Sequence, residues 1–211
     1  LFRSAGLTRE KFLDSGSPVR NCTIAHFAFP FAAQIKNLLA DGVMQKENLL
    51  FAHADAGSTK RISRSFRACM YDVLGFTDRN PDQDDWAQGL KDRDKATGKI
   101  KIKGFSAKVA NKDVIIFEDI VASAGTACDL AGLLKDKGAR SVTLFATSGL
   151  FTVDPKKGEA MTAAVDRVNA SRLDAVFITD TINHQLTDPR LQRAIDRSPV
   201  IHTVKTAPYL A

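Results

Sequence analysis

The stretch VIIFEDIVASAGTACDLAGLLKDKGA, residues 114–139, has four apolar residues, two acids, a loop of small residues and a helical pattern of leucines, in that order. Four consecutive apolar residues are typical of a strand that is buried on both faces. The leucines that follow recur with helical spacing. The stretch therefore predicts a strand–loop–helix unit of a parallel sheet, with Glu118 and Asp119 at the carboxyl end of the strand.

The same alternation recurs along the chain. Further apolar runs that predict buried strands are residues 49–54, 141–147, 174–179 and 200–204. Segments with helix-compatible spacing are residues 59–74, 126–137, 157–168 and 189–197. Strand and helix alternate, so the predicted class is α/β, with a mainly parallel sheet, right-handed crossovers and helices on both faces.

Composition and charge indicate which kinds of molecule this chain can bind. The chain has 211 residues, 44% of them hydrophobic, and a net charge of +6, which suits phosphorylated small molecules as well as nucleic acid. The basic residues are scattered and lack zinc-ligand spacing or an aromatic-rich basic motif, so no nucleic-acid partner is expected. No apolar run approaches the roughly 18 residues of a membrane span, so no membrane partner is expected either. Cys22, Cys69 and Cys128 lie far apart, which favours a reduced, cytoplasmic protein.

Residues 77–104 interrupt the alternation, because they are polar, charged and poor in apolar side chains. They predict a long surface excursion that is partly a β-hairpin around the ATGK of residues 96–99. Such an excursion can be a functional lid or a mere insertion.

The loop after Glu118 and Asp119 has the chemistry of a ribose-phosphate site. Neighbouring carboxylates need a cation or hydroxyl donors, and either a ribose diol or Mg²⁺ would satisfy them. The small residues of Ser123-Ala124-Gly125-Thr126 let an anion approach the amides at the start of a helix, with the Ser123 and Thr126 hydroxyls as further donors. The alternative is that Ser123 merely caps the helix and the acids are solvated.

The pattern of residues 114–126 resembles the phosphoribosyl pyrophosphate motif of type I phosphoribosyltransferases. That motif is shared by salvage transferases and by ribose-phosphate pyrophosphokinases. AHADAGSTKRISRSF, residues 52–66, resembles a pyrophosphokinase segment whose turn aspartate helps to hold Mg²⁺, and the matching residue is Asp55. From the residues alone, Asp55 could equally close an Asx-type turn.

Three further stretches resemble the pyrophosphokinase family. KDRDKATGKIKIKGFSAKVANKDVIIF is similar to its flexible catalytic loop, and Lys91 and Arg93 match a cation pair that stabilises the migrating diphosphate. Without the resemblance, both would be interpreted as solvated charges. GARSVTLFATSGLF and VFITDTI resemble two strand ends, and TIAHFAFPF is similar to a region with a histidine that contacts Mg-ATP. The matching residue is His26, although a histidine between apolar residues is often only packed.

The resemblance implies a Rossmann-like type I phosphoribosyltransferase fold for residues 21–211, with residues 1–20 a remnant of a preceding N-terminal half. It implies a ribose-phosphate diphosphokinase that transfers the diphosphate of Mg-ATP to the anomeric hydroxyl of ribose 5-phosphate, forming phosphoribosyl pyrophosphate and AMP. The implied cofactor is Mg²⁺ and the implied substrates are ATP and ribose 5-phosphate. A homo-oligomer is expected, because part of the ATP site would come from across a subunit interface.

Several residues depart from the family pattern: Glu118 and Ala122 where aspartates are usual, Ala124 for a loop glycine, Ser148 for a histidine and Ile24 for an acid. These departures put turnover in doubt more than ribose-phosphate binding. Two alternatives therefore remain, a non-catalytic pyrophosphokinase-associated regulatory subunit and a purine or pyrimidine salvage phosphoribosyltransferase.

Overall fold

The computed structural model describes residues 27–54, 62–83, 86–93, 100–152, 160 and 162–207, which contain a seven-stranded sheet and its flanking helices. The strands are β1 (Leu49–His53), β2 (Ala87–Arg93), β3 (Ile100–Phe105), β4 (Asp113–Val121), β5 (Ser141–Gly149), β6 (Ala175–Thr179) and β7 (Ile201–Val204). The helices are α1 (Ala28–Ala40), α2 (Arg64–Leu74), α3 (Gly125–Asp136), α4 (Ala163–Asn169), α5 (His184–Thr187) and α6 (Pro189–Asp196).

The strand order is β3-β2-β1-β4-β5-β6-β7, and only the β2–β3 pair is antiparallel among the described strands. All five strands expected from apolar runs are confirmed as members of this sheet. After β1 the chain adds β2 and β3 on one side and then returns to place β4 on the other. This reversal makes the gap between β1 and β4 a topological switch point, where ligands of open α/β sheets bind.

Helices cover both faces of the sheet, as predicted. Side chains along the first part of β4 therefore alternate between two cores. Val114 and Ile116 pack in a core with Leu130 of α3. Ile115 packs in the other core with Phe31 of α1. A strand that is buried on both sides needs apolar residues at consecutive positions, which explains the continuous apolar run.

The segment expected as a surface excursion also contributes two strands, β2 and β3, to the sheet. Ala87 at the start of β2 pairs with Ala52 of β1 and is buried. The preceding Trp86 is 5% exposed, donates a 2.6 Å hydrogen bond to Tyr71 Oη, and stacks on Phe117 with ring centroids 5.1 Å apart. Trp86 therefore fixes the start of this segment against the sheet, although the polar composition of the segment did not predict that it belongs to the sheet. β2 and β3 pair as the two strands of the predicted hairpin, and its turn lies outside the described residues.

The helix bounds follow from local signals. Ser63 Oγ accepts a 3.3 Å hydrogen bond from the Phe66 amide and caps α2, and Gly75 ends that helix with φ +67°. α1 was not predicted, although Phe31 and Ile35 have helical spacing and both are buried.

No helix within the described ranges is both long and apolar enough to cross a bilayer.

Candidate functional site

The carboxyl ends of β1 and β4 lie side by side at the switch point. β1 ends at His53, which pairs with Phe117 of β4, and both residues are buried. The ring of Phe117 lies 5.9 Å from that of Phe51 and 5.3 Å from that of Phe66, measured between centroids. These packed rings form a rigid base from which β4 continues to Glu118 and Asp119.

The two acids lie within β4 and not after it, because the ladder with β5 continues to Val121. Glu118 pairs with Ala146, and the next pair in the ladder joins Ile120 to Ser148. Ile116 and Val121 are five residues apart and yet pack in the same core, so strict alternation is interrupted between them. In a regular strand, the consecutive residues Glu118 and Asp119 would point to opposite faces of the sheet. Because the alternation is interrupted here, the two half-buried carboxylates can lie on the same side.

Asp119 also shapes the backbone at this point. Its Oδ1 accepts a hydrogen bond of 3.0 Å from the amide of Ile120, the next residue. Aspartate side chains that bond to a nearby amide are typical of places where a strand leaves its regular path. Asp119 therefore both supplies a carboxylate and stabilises the irregular end of β4.

The loop after β4 leaves the start of α3 open to an anion. The residue that precedes α3 is Ala124, and no side chain of the described residues caps the helix there. The capping role considered for Ser123 is therefore wrong. The amides of the first turn of a helix lack intrahelical acceptors and carry the positive end of the helix dipole, so they attract negative groups. Ser123 and Thr126 are exposed on either side.

Ala124 adopts a conformation that normally favours glycine. Its φ and ψ are 60° and −2°, in the left-handed region, and its side chain is 7% exposed. An alanine in this region costs about 1 kcal/mol, so the surrounding contacts have to hold it there. A left-handed residue directly before a helix turns successive amides towards a common point, which is the geometry of a backbone anion nest.

A cation from a neighbouring helix contacts the same loop. Arg167 of α4 is half-buried, and its Nη1 donates a hydrogen bond to the carbonyl oxygen of Ser123. Cys128 of α3 lies beside this contact, with its Sγ 3.8 Å from the backbone oxygen of Arg167. Burial raises the pKa of the Cys128 thiol, so it stays neutral near neutral pH. Sequence reasoning missed Arg167, because nothing in its local pattern points to a loop 44 residues away.

The end of β5 supports the loop from the other side. The carbonyl oxygen of Val121 accepts hydrogen bonds from the amides of Leu150 and Phe151, at 2.9 and 3.1 Å. Phe151 is buried and has φ 46°, and His184 Nε2 lies 2.6 Å from the carbonyl oxygen of Gly149. The last residue of β4 is therefore held by a constrained turn.

Comparisons with known proteins identify relatives of this chain. No protein-family model matches the chain. A ribose-phosphate pyrophosphokinase of Chromobacterium violaceum is 34% identical over 159 residues, which cover 72% of this chain and 42% of the relative. One of Brucella melitensis is 36% identical over 85 residues, 40% of this chain and 24% of the relative. The chain belongs to the ribose-phosphate pyrophosphokinase family.

The fold comparison gives the same result for the architecture. The crystal structure of a phosphoribosylpyrophosphate synthetase from Mycobacterium smegmatis matches with a TM-score of 0.58 and 21% identity, covering 87% of this chain and 47% of that one. The fold is therefore the type I phosphoribosyltransferase fold that was predicted. The chain spans less than half the length of the pyrophosphokinases it matches.

The structure places only some of the residues predicted for a pyrophosphokinase site. Glu118, Asp119 and the loop 123–126 come together at the end of β4. His26 and Asp55 lie outside the described residues. Lys91 and Arg93 belong to β2, which lies beside β1, and their side chains lie outside the described part. Within the described ranges, no group of three or more His, Cys, Asp or Glu side chains is arranged to hold a metal ion.

Two departures from the pyrophosphokinase pattern can be located. Ala122 is exposed in the loop, so the missing carboxylate leaves no buried gap. Ser148 is half-buried, and its Oγ lies 3.5 Å from Thr181 Oγ1, whose hydroxyl donates to the Thr147 carbonyl at 3.1 Å. Ser148 thus belongs to a group of neutral hydroxyls at the ends of β5 and β6, where a histidine would add a group that titrates near neutral pH.

Proposed function

We propose that this chain carries the ribose 5-phosphate site of a ribose-phosphate diphosphokinase. In the reaction, the anomeric hydroxyl of ribose 5-phosphate attacks the β-phosphorus of Mg-ATP, forming phosphoribosyl pyrophosphate and releasing AMP. The observation that carries the proposal is the start of α3, which no side chain of the described residues caps and which follows the acid pair of β4 at the switch point of a pyrophosphokinase-family chain.

The 5-phosphate would bind at the loop 123–126. The amides of the first turn of α3 and the exposed hydroxyls of Ser123 and Thr126 would donate to its oxygens. The net charge of +6 favours an anionic substrate over a neutral one.

The ribose hydroxyls would bind at Glu118 and Asp119. Carboxylates accept hydrogen bonds from a diol, and two adjacent acceptors match two adjacent donors. Both acids are half-buried near the end of β4, where Glu118 and Ile120, on either side of Asp119, pair with β5. Holding the sugar at both ends orients the anomeric hydroxyl for attack.

ATP and Mg²⁺ would bind on the β1 and β2 side of the crevice. Asp55 follows the end of β1, and Asp55 with His26 would hold the Mg-ATP complex, since Mg²⁺ prefers oxygen ligands and is bound largely by phosphates. Bound Mg²⁺ neutralises charge on the phosphates. Lys91 and Arg93 would stabilise the negative charge that develops on the diphosphate as AMP leaves.

A homo-oligomer would complete the ATP site. The matched relatives are more than twice as long as the segments they share with this chain. In this proposal, a second copy of the chain contributes part of the nucleotide site across a subunit interface.

The test is AMP release from ATP, Mg²⁺ and ribose 5-phosphate by the wild-type chain and by Lys91→Ala. We expect Lys91→Ala to lower the rate by about 10²-fold, the usual loss when one charge-stabilising donor is removed, with unchanged affinity for ribose 5-phosphate. Lys36→Ala is the matched control, because Lys36 is exposed on α1.

Two other outcomes would select the alternatives. Ribose 5-phosphate binding without AMP release by the wild-type chain would contradict the diphosphokinase activity and favour a non-catalytic regulatory subunit. Consumption of phosphoribosyl pyrophosphate with a nucleobase would favour a salvage transferase.

A further inference from the structure

Among the described residues, the proposed phosphate loop is held at both of its ends. Its residues 122 and 123 are exposed, and Ala124 is held in the left-handed region. On the strand side, the turn after β5 holds Val121. On the helix side, Cys128 N donates to the Ala124 carbonyl at 3.0 Å as the first bond of α3. The exposed peptide between these two anchors is the one that Arg167 contacts.

We propose that Arg167 is a positioning residue for ribose 5-phosphate, which fixes loop 122–126 in its phosphate-binding conformation. This inference rests on the proposed function of the site and assigns to it a residue from α4, an element outside the loop motif. Arg167 is not a catalytic residue in this proposal, because it acts through the backbone of Ser123.

The geometry explains how one side chain can hold the loop. Arg167 Nη1 donates to the Ser123 carbonyl oxygen, which is a charge-assisted hydrogen bond. In a trans peptide the carbonyl and the following amide point in opposite directions, so holding the Ser123 oxygen towards α4 turns the Ala124 amide away from α4. In this proposal, that orientation lets the Ala124 amide join those of Gly125 and Thr126 in an anion nest.

The position of Arg167 is fixed by packing. Its neighbours Val165 and Val168 are buried in the core beneath α4, with exposed fractions of 1% and 0%. α4 is therefore anchored in the core, which fixes the point from which the Arg167 side chain reaches the loop. A guanidinium has five donors in a fixed plane, so it holds a carbonyl in a defined direction where a lysine ammonium would not.

A second arginine provides a matched control. Arg172, just beyond α4, donates from its Nη1 to the Gly132 carbonyl at 3.3 Å and to Asp136. It therefore joins the same region to α3, but at the carboxyl end of that helix. Arg167→Ala and Arg172→Ala remove the same side chain, and only the first touches the loop.

The experiment measures ribose 5-phosphate binding by calorimetry for wild type, Arg167→Ala, Arg167→Lys and Arg172→Ala. We expect the dissociation constant to rise about ten-fold in Arg167→Ala and less in Arg167→Lys, with wild-type affinity in Arg172→Ala. In the AMP-release assay, the KM for ribose 5-phosphate should rise while the KM for ATP stays constant. If Arg167→Ala fails to fold, the affinities of Arg167→Lys and Arg172→Ala are compared instead. Weaker binding in Arg167→Lys than in Arg172→Ala supports the positioning role, and equal affinities contradict it.

Hydrogen exchange separates this proposal from the proposed function. Amides 124–127 should exchange faster in ligand-free Arg167→Ala than in wild type or Arg172→Ala. Unchanged binding and exchange in Arg167→Ala, or equal losses in both variants, would overturn the positioning role. If the wild-type chain binds no ribose 5-phosphate, the proposed function fails, and the exchange comparison still decides whether Arg167 holds the loop.

Discussion

At the scale of single residues, Asp113 shows how one buried charge is satisfied. It is fully buried at the start of β4. Its Oδ1 accepts from Arg140 Nε at 2.8 Å and from Ser141 Oγ at 2.6 Å, and its Oδ2 accepts from the Gln45 amide at 3.0 Å. Burial alone would raise the pKa of Asp113, but the hydrogen bonds from Arg140, Ser141 and Gln45 and the charge of Arg140 hold it below its usual value.

We therefore expect Asp113→Asn to lower the free energy of unfolding by about 2 kcal/mol at pH 7, since hydrogen bonds to a charged group are lost. Urea unfolding measures this. Asp136→Asn is the control, because its ion pair with Arg172 is at the surface and its loss should cost much less.

The pH dependence has a definite sign. The pKa of Asp113 is lowered in the folded state, so its stabilising contribution is present above the unfolded pKa of about 4 and is lost as the pH falls through the folded pKa. The stability difference between wild type and Asp113→Asn should shrink from pH 5 towards pH 2. A difference that stays constant over this range would contradict the assignment.

At the scale of elements, the close approach of β2 to the chain just after β1 depends on one glycine, Gly89. A Cβ added to Gly89 would lie 2.4 Å from the Ala54 carbonyl oxygen and 3.6 Å from Leu130 Cδ1. Real Cβ atoms do not approach a backbone oxygen so closely, so any larger residue must displace β2. Gly132, within α3, has open space at the corresponding point.

These two glycines predict opposite effects of the same substitution. Gly89→Ala should lower the free energy of unfolding by about 1–3 kcal/mol, because the strand has to move. Gly132→Ala should raise it by about 0.5–1 kcal/mol, because alanine favours a helix interior and meets nothing. Denaturant midpoints measure both, and a neutral Gly89→Ala would show that β2 does not lie as close to β1 as described.

At the scale of the whole molecule, the chain contains a single tryptophan, Trp86, which lies between α2 and the sheet. Its indole contacts the ring of Phe117, directly before the acid pair. Fluorescence of this residue therefore reports the unfolding of the sheet region beneath the proposed site.

Ribose 5-phosphate at about 100 times its dissociation constant should stabilise the folded chain by about 2.7 kcal/mol and raise Tm by about 5–10 °C. The melting curve is followed by Trp86 fluorescence. Ribose without phosphate is the control and should shift Tm far less, because it cannot use the start of α3. Equal shifts for both sugars would argue against a phosphate site at the loop 123–126.

The strands and the proposed ribose-phosphate loop can be predicted from local patterns, because each depends on neighbours in sequence. Consecutive apolar residues need burial on two faces, and two acids followed by small residues before a helix provide both carboxylates and open amides. The break in alternation around Asp119 was not predictable, since it is visible only when Ile116 and Val121 are found in one core.

Contacts between distant segments account for the rest. Arg167 contacts a loop 44 residues away, and Asp113 accepts hydrogen bonds from two other parts of the chain, residue 45 and residues 140–141. Trp86 attaches its polar segment to the fold through Tyr71 and Phe117. The residues next to Trp86 in the sequence do not predict these partners. Local sequence thus specifies the parts of the crevice and their chemistry, whereas burial and long-range hydrogen bonds determine which side chains hold those parts in place, because only folding brings these groups within bonding distance.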